Sequence, residues 1–200
     1  MTIRGKNIGF ALTASHCTYE EIWPQIAKLQ AAGAEIYPFV SENVANTDTR
    51  FGLGREIVAK FADLTKRPVI KSIVDAEPVG PKKILDCLIV APCTGNTCAK
   101  LANAVTDTAV TMVSKAHLRN GRPLVLAVST NDALGLNAKN IGVLLNTPNC
   151  FFVPFGQDNP AEKPNSLVAD MDLILPTLEK ALVNRQLQPV LIEREWRRVR

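Results

Sequence analysis

Short apolar runs alternate with stretches of helical spacing along this chain, and that alternation most constrains its fold. Asn7–Leu12 reads as a buried strand. Tyr19–Ala32 follows with Ile22, Ile26 and Leu29 on one helical face and Gly33 as a stop, and Glu35–Val40 is the next strand. A strand, a helix and a second strand at this spacing predict a βαβ unit with parallel strands. Leu85–Ala91 and Pro123–Val128 repeat the apolar pattern, and Cys150–Val153 is a last short strand. Helices are expected near Arg55–Thr65, over Ala99–Ala104, over Thr108–Arg119 with Asp107 as N-cap, over Ala138–Leu145 and over Ser166–Asn184. The expected class is α/β with a mostly parallel sheet, in one domain over residues 1–193, followed by a basic tail at 194–200.

Composition agrees with one soluble domain. Two hundred residues can enclose a substantial core, and 46% hydrophobic with 21% charged residues is a globular balance. No apolar run is long enough to span a bilayer, and the start lacks the apolar core of a secretory signal, so a cytoplasmic location is expected. Much of the net charge of +4 lies in Arg194–Arg200, REWRRVR, and no spaced basic and aromatic pattern points to nucleic acid. The five cysteines form no C-x-x-C, and with only two histidines a metal site is not expected. Cys87 and Cys150 read as core residues, whereas Cys17 and Cys93 fall in expected loops.

The polar residues collect where the strands end. In an open α/β sheet, ligands bind beyond the carboxyl ends of the strands. The first strand ends in Thr13-Ala14-Ser15-His16-Cys17-Thr18, and the second is followed by Ser41. The third ends in Cys93-Thr94-Gly95-Asn96-Thr97 and the fourth in Ser129-Thr130-Asn131. Thr13, Ser15, Ser41, Thr94, Gly95, Asn96, Thr97, Ser129, Thr130 and Asn131 are therefore the candidate binding residues. Helix starts after such loops offer unpaired N–H groups to an anion. Neither G-x-G-x-x-G nor G-x-x-x-x-G-K-[ST] is present, so the dinucleotide and ATP-type phosphate loops are missing.

His16 is the one histidine in a candidate loop. It reads either as an acid/base or carboxylate-contact group, or as a side chain bonding the loop backbone. Cys93 reads as a structural thiol, since no basic residue of the loop would lower its pKa. Asp107 reads as a cap, and Lys100 as part of a solvated helix face. Asp132 and Glu20 are weaker candidate bases.

GFALTASHC, APCTGNTCAKLANAVTDT and GRPLVLAVSTN resemble the homo-oligomeric flavin-containing cysteine decarboxylase superfamily. Its signature, a Pro-Ala-Ser-Ala-Asn-Thr type loop followed by Ala-Lys-Leu-Ala-Asn-Gly, is matched by Pro92, Asn96, Thr97 and Ala99–Asn103. The resemblance implies a flavodoxin-like (Rossmann-like) three-layer sandwich that binds FMN between the subunits of a trimer or dodecamer. It implies phosphate contacts from Thr13 and Ser15 with Ser41 nearby, flavin or substrate contacts from Thr94, Asn96 and Thr97, and a substrate-side role for Asn131.

Two departures bear on the chemistry. The decarboxylases carry a catalytic His before the signature loop, and Ile73–Asp86 contains none. The related prenyltransferases have an Arg where this chain has Ser129. TASHCTYEEIWPQI and FVPFGQDNPAEKPNSLVAD narrow the resemblance to one component of a two-component oxidoreductase of sporulating bacteria. That enzyme acts on a small ring dicarboxylate, and its other component resembles a nicotinamide-binding protein. The other readings are a non-catalytic ligand-binding or scaffolding subunit, or a flavin-dependent decarboxylase or prenyltransferase.

Overall fold

The computed structural model describes residues 3–193, so the basic segment 194–200 lies outside the described residues. Three strands form the middle of the sheet: β1 (Asn7–Leu12), β3 (Cys87–Cys93) and β4 (Leu124–Thr130). They are almost wholly buried, as their unbroken apolar runs require of strands covered on both faces. β2 (Glu35–Val40) pairs with the outer side of β1, and β5 (Cys150–Phe152) extends the parallel sheet beside β4. Two short strands, β6 (Phe155–Gly156) and β7 (Leu167–Ala169), add an antiparallel edge, giving the order β2-β1-β3-β4-β7-β6 with β5 also on β4.

Helices flank this sheet. α1 (Tyr19–Ala31) turns its apolar stripe of Ile22, Ile26 and Leu29 inward. Phe10 of β1 meets Phe61 of α3 (Gly54–Thr65) edge to face, and Phe61 in turn packs on Trp23 of α1. Each such side chain contributes roughly 1.5–3 kcal/mol on full burial. The short helices α2 (Glu42–Asn46) and α4 (Ile73–Ala76) complete the connection to β3. After β3 come α5 (Gly95–Ala102), α6 (Ala109–Arg119), α7 (Ala138–Leu145) and α8 (Ile174–Ala181).

Four expectations change. Thr108, not Asp107, caps α6: its hydroxyl accepts from the Thr111 amide, and the Thr111 hydroxyl accepts in return from the Thr108 amide. The third strand runs two residues further than Ala91, so Cys93 is buried in the sheet rather than placed in a loop. The helix after it begins at Gly95, because Thr94 caps it. Ser166–Asn184 is not one helix: Leu167 and Val168 pair with Thr130 and Ser129 at the end of β4, a 3-10 turn follows at Met171–Leu173, and α-helix starts only at Ile174.

Candidate functional site

β1 and β3 are neighbours, but the chain goes from β1 outward to β2 before returning to β3. Such a reversal opens a crevice at the carboxyl ends of the two strands. The crevice is held by Thr13, whose hydroxyl donates to the Pro92 carbonyl at 2.6 Å and accepts from the Thr94 amide at 3.0 Å. Proline cannot donate to a sheet ladder, and the β3–β4 register shifts between Val90 and Cys93 around Pro92. That bulge turns Thr94 and the start of α5 into the crevice. The Ala91–Pro92 peptide is cis.

Two adjoining clefts occupy this edge. One, of about 340 Å³, is lined by Thr13, Ser41, Thr94, Asn96, Thr97 and Lys100, among others. The second, of about 300 Å³, is lined by Ser15, Gly95, Ser129, Thr130, Asn131 and Asp132, and shares Ala14, Thr94 and Asn96 with the first. Volumes of about 300–1,000 Å³ are usual for small-molecule sites. All ten candidate binding residues lie along this groove. His16 does not: it lines a separate pocket with Tyr19 and Trp23. Its Nδ1 is buried without a partner among the described residues, so it does not bond the loop backbone through that atom. Burial lowers its pKa from the ordinary 6.5.

The hydroxyls divide into those already committed and those that are open. Thr13 is buried and spent on backbone, so it clips β1 to β3. Ser15 bridges to Ser129 at 2.8 Å, tying the first loop to the fourth. Thr94 and Thr97 serve the start of α5. The side chains of Ser41, Asn96 and Asn131 make no hydrogen bond among the described residues. These are the groups with donors and acceptors to offer.

Sequence reasoning missed Lys100, Asp107, Thr108, Glu42 and Asn43, which also line the first cleft. Lys100 is not on a solvated face. Its side chain is only 23% exposed, and Nζ lies 2.7 Å from the Asp107 carboxylate. The signal was present, because Asn96 and Lys100 are four residues apart and share one face of a helix.

Behind the second cleft runs a chain of amides. Thr130 and Asn137 both donate to Asp132, at 2.6 and 2.8 Å. Asn140 donates to Asn137, and Asn103 donates to Asn140. The chain joins the end of β4 to α7 and to the far end of α5.

The thiols of β3, α5 and β5 lie behind the clefts rather than in them. Cys93 and Cys98 are fully buried with sulfurs 3.5 Å apart. Their mutual hydrogen bond and their burial raise the Cys93 pKa well above the ordinary thiol value. Burial pushes Cys150 up to about 12. Neither Cys93 nor Cys150 supplies a thiolate near neutral pH.

A mostly parallel sheet flanked by helices, with a polar crevice at the β1–β3 reversal, is a flavodoxin-like architecture. The chain belongs to the Flavoprotein family, which it matches over residues 1–173. It is 58% identical over 192 residues to the B subunit of dipicolinate synthase of Bacillus subtilis (strain 168), covering 96% of each chain. The crystal structure of the corresponding dipicolinate synthase B subunit from Bacillus halodurans C superposes with a TM-score of 0.89 at 53% identity, covering 98% of this chain and 100% of that one. The FMN-dependent cysteine decarboxylase SpaF shares the fold at 15% identity, with a TM-score of 0.65 over 90% of this chain and 97% of its own.

Proposed function

We propose that this chain is the FMN-binding component of a two-component oxidoreductase that converts dihydrodipicolinate to dipicolinate. Its partner is a protein like the A subunit of dipicolinate synthase, in the cytoplasm of a sporulating mother cell. The observation that carries the reading is the groove itself. Open Ser41, Asn96 and Asn131 side chains line two adjoining polar clefts, in a chain 58% identical to the B subunit of a dipicolinate synthase.

The donor set fits a phosphorylated flavin. The starts of α5 and α6 both border the first cleft, through Thr94 and Thr108, and helix starts favour an anion. Ser41 adds an open hydroxyl, and the Lys100 ammonium, paired with the Asp107 carboxylate, stands beside them. Asn96 and Asn131, which line the second cleft together with Ser15 and Ser129, offer amide and hydroxyl groups to the polar edge of a ring system.

Aromatising the dihydro ring removes a hydride and a proton, and FMN, when bound, supplies a hydride acceptor. The chain's own part is to bind and orient. Asp107 holds the Lys100 ammonium at the cleft wall, and Asp132 fixes Thr130 and Asn137 so that the loop carrying Asn131 stays in place. A homo-oligomer, trimer or dodecamer, is part of the reading. Leu134 and Leu136 lie exposed just past Asn131, where a second copy would cover them.

One observation favours a second reading, a ligand-binding component without turnover. Neither histidine lines the groove, its Asp107 and Asp132 carboxylates are both tied up in contacts, and the remaining carboxylate, Glu42, is exposed at its rim.

The test is spectroscopic. The purified chain is expected to bind FMN with a perturbed oxidised-flavin spectrum, and Asn96→Ala to weaken binding by about tenfold, the value of one lost buried hydrogen bond. No FMN binding at saturating concentration overturns the flavin reading. Full dihydrodipicolinate oxidation by the partner on its own would leave the non-catalytic reading standing.

A further inference from the structure

The last turn of α6 is fastened to the turn that leads into β3. Gly80 lies so close that a Cβ built on it would stand 2.6 Å from the Ala116 Cβ. The Asn120 side-chain amide donates to the Gly80 carbonyl at 2.9 Å, and the Arg122 guanidinium donates to the Lys83 carbonyl at 3.1 Å. Lys83 is held in the left-handed region, with φ of 49°, which a Cβ disfavours. These contacts fix the Lys82-Lys83 turn against the helix end.

The surface so built is basic. Lys82 and Lys83 on the turn, and Lys115 and Arg119 on α6, are all exposed. None of these four side chains has an ion-pair or hydrogen-bond partner among the described residues. Lys115 and Arg119 are four residues apart and so share one face of the helix. Acids nearby do little to offset them. Glu77 is exposed in the same segment, but Asp75 is bonded to Ser72 at 2.6 Å and Asp86 is paired with Lys6.

Like charges held together repel one another in the free chain, and an opposite surface relieves that repulsion. Val74 stands 76% exposed on α4, which packs along α6. An apolar residue bordered by charges is the make-up of a protein interface, with an anchor to bury and a rim to steer. Four cations at one helix end are few for a nucleic acid, where tight binding draws on about 6–10 phosphate contacts. The segments 71–83 and 109–122 also contain no Phe, Tyr or Trp on which a base could stack. α6 starts at the groove, where Thr108 lines the first cleft, and its 11 residues carry the basic end about 16 Å away. A partner seated on the basic end leaves the groove open.

We propose that this face, Lys82, Lys83, Lys115 and Arg119 with Val74 beside them, docks a carboxylate-rich surface of the partner subunit. The inference rests on the two-component oxidoreductase reading for the identity of the partner, but the docking face stands apart from the flavin groove.

Binding of the full chain to the purified A subunit of the Bacillus subtilis synthase, followed by biolayer interferometry at low and at physiological salt, tests it. A saturable complex is expected, tighter at low salt because exposed charges are then less screened. Lys82→Glu combined with Lys115→Glu is expected to weaken it by about thirtyfold, chiefly through slower association. Val74→Ser is expected to weaken it by about threefold. Lys139→Glu, which reverses an exposed cation on α7, is expected to change it by less than about twofold. All these changes are at exposed positions away from the groove and leave the FMN spectrum unaltered, which also shows that each variant is folded. No complex, with FMN binding intact, overturns the docking face and leaves the flavin reading untouched. A complex indifferent to salt and to the double reversal overturns it too, as does one weakened equally by Lys139→Glu. Binding of duplex DNA or of phosphatidylglycerol vesicles that the double reversal abolishes would assign the face to phosphates and sink the proposal. A reversal-sensitive complex from a chain that binds no FMN keeps the docking face and removes the flavin reading.

Discussion

Ala104 ends α5 in the left-handed region, with φ of 57°. The Val105 amide reaches the Lys100 carbonyl and the Ala104 amide reaches Leu101, the paired bonds of a Schellman stop. An L-residue with a Cβ costs roughly 1–2 kcal/mol in that conformation, and glycine returns part of the gain as lost chain entropy. Ala104→Gly is therefore expected to raise unfolding free energy by about 0.5–1 kcal/mol, read as a higher urea midpoint at unchanged slope. At this scale the sequence identified residue types better than residue roles. Thr13 was legible as a hydroxyl at a strand end, yet its hydroxyl is spent on Pro92 and Thr94. Only the three-dimensional pairing of β1 with β3 decides that. Cys93 and Lys100 were misplaced for a related reason: the strand ends at Cys93 rather than Ala91, and the helix begins at Gly95 rather than Ala99, so that Lys100 shares a face with Asn96.

Among elements, α5 depends on how closely it approaches the end of β4. A Cβ built on Gly95, its first residue, would lie 2.5 Å from Thr130 Oγ1, 2.6 Å from Asn137 Nδ2 and 2.8 Å from Asp132 Oδ1. Those three atoms are hydrogen-bonded to one another through Asp132, so none can yield without breaking the network. Gly95→Ala is expected to cost about 1–3 kcal/mol by overpacking. It is also expected to weaken FMN binding, because it pushes Asn96 away from Asn131; equilibrium denaturation and flavin titration on one preparation measure both. The sequence presented Gly95 as a candidate binding residue of the loop after the third strand, whereas here it permits close approach, a property set by a partner some 35 residues downstream. β1, β2 and α7 were legible because their apolar periods are local. β7 was not: Leu167–Ala169 is strand only because the end of β4 offers it an antiparallel partner, and its sequence also fits a helix.

For the molecule as a whole, parallel strand order puts the polar loops at one end and leaves the other end to hold the fold. The groove was legible from sequence because four strands end in hydroxyls or amides and a parallel sheet gathers such ends together. The pocket beside His16 was not, because its Phe51 and Trp23 come from loop and helix segments with no common period. At the opposite end of the sheet from the groove, Lys6 pairs with Asp86 and the Arg122 guanidinium donates to the Leu85 carbonyl. His117 of α6 is buried close by, its Nε2 without a partner among the described residues. Burial lowers its pKa to about 4, with Arg122 lowering it further and the Pro123 carbonyl and Asp86 opposing. The unfolded chain, with a histidine near 6.5, takes up the proton first as pH falls. Stability from this residue is thus complete above pH 6.5 and is lost between 6.5 and 4, by about 3 kcal/mol in all. His16, also lowered by burial, acts in the same direction. Urea midpoints measured at pH 7.5, 6, 5 and 4.5 are expected to fall steadily in the native chain. His117→Gln, which has no charged form, is expected to remove most of that slope while leaving the FMN spectrum at pH 7.5 unchanged. A slope that survives the substitution would assign the acid sensitivity to other groups.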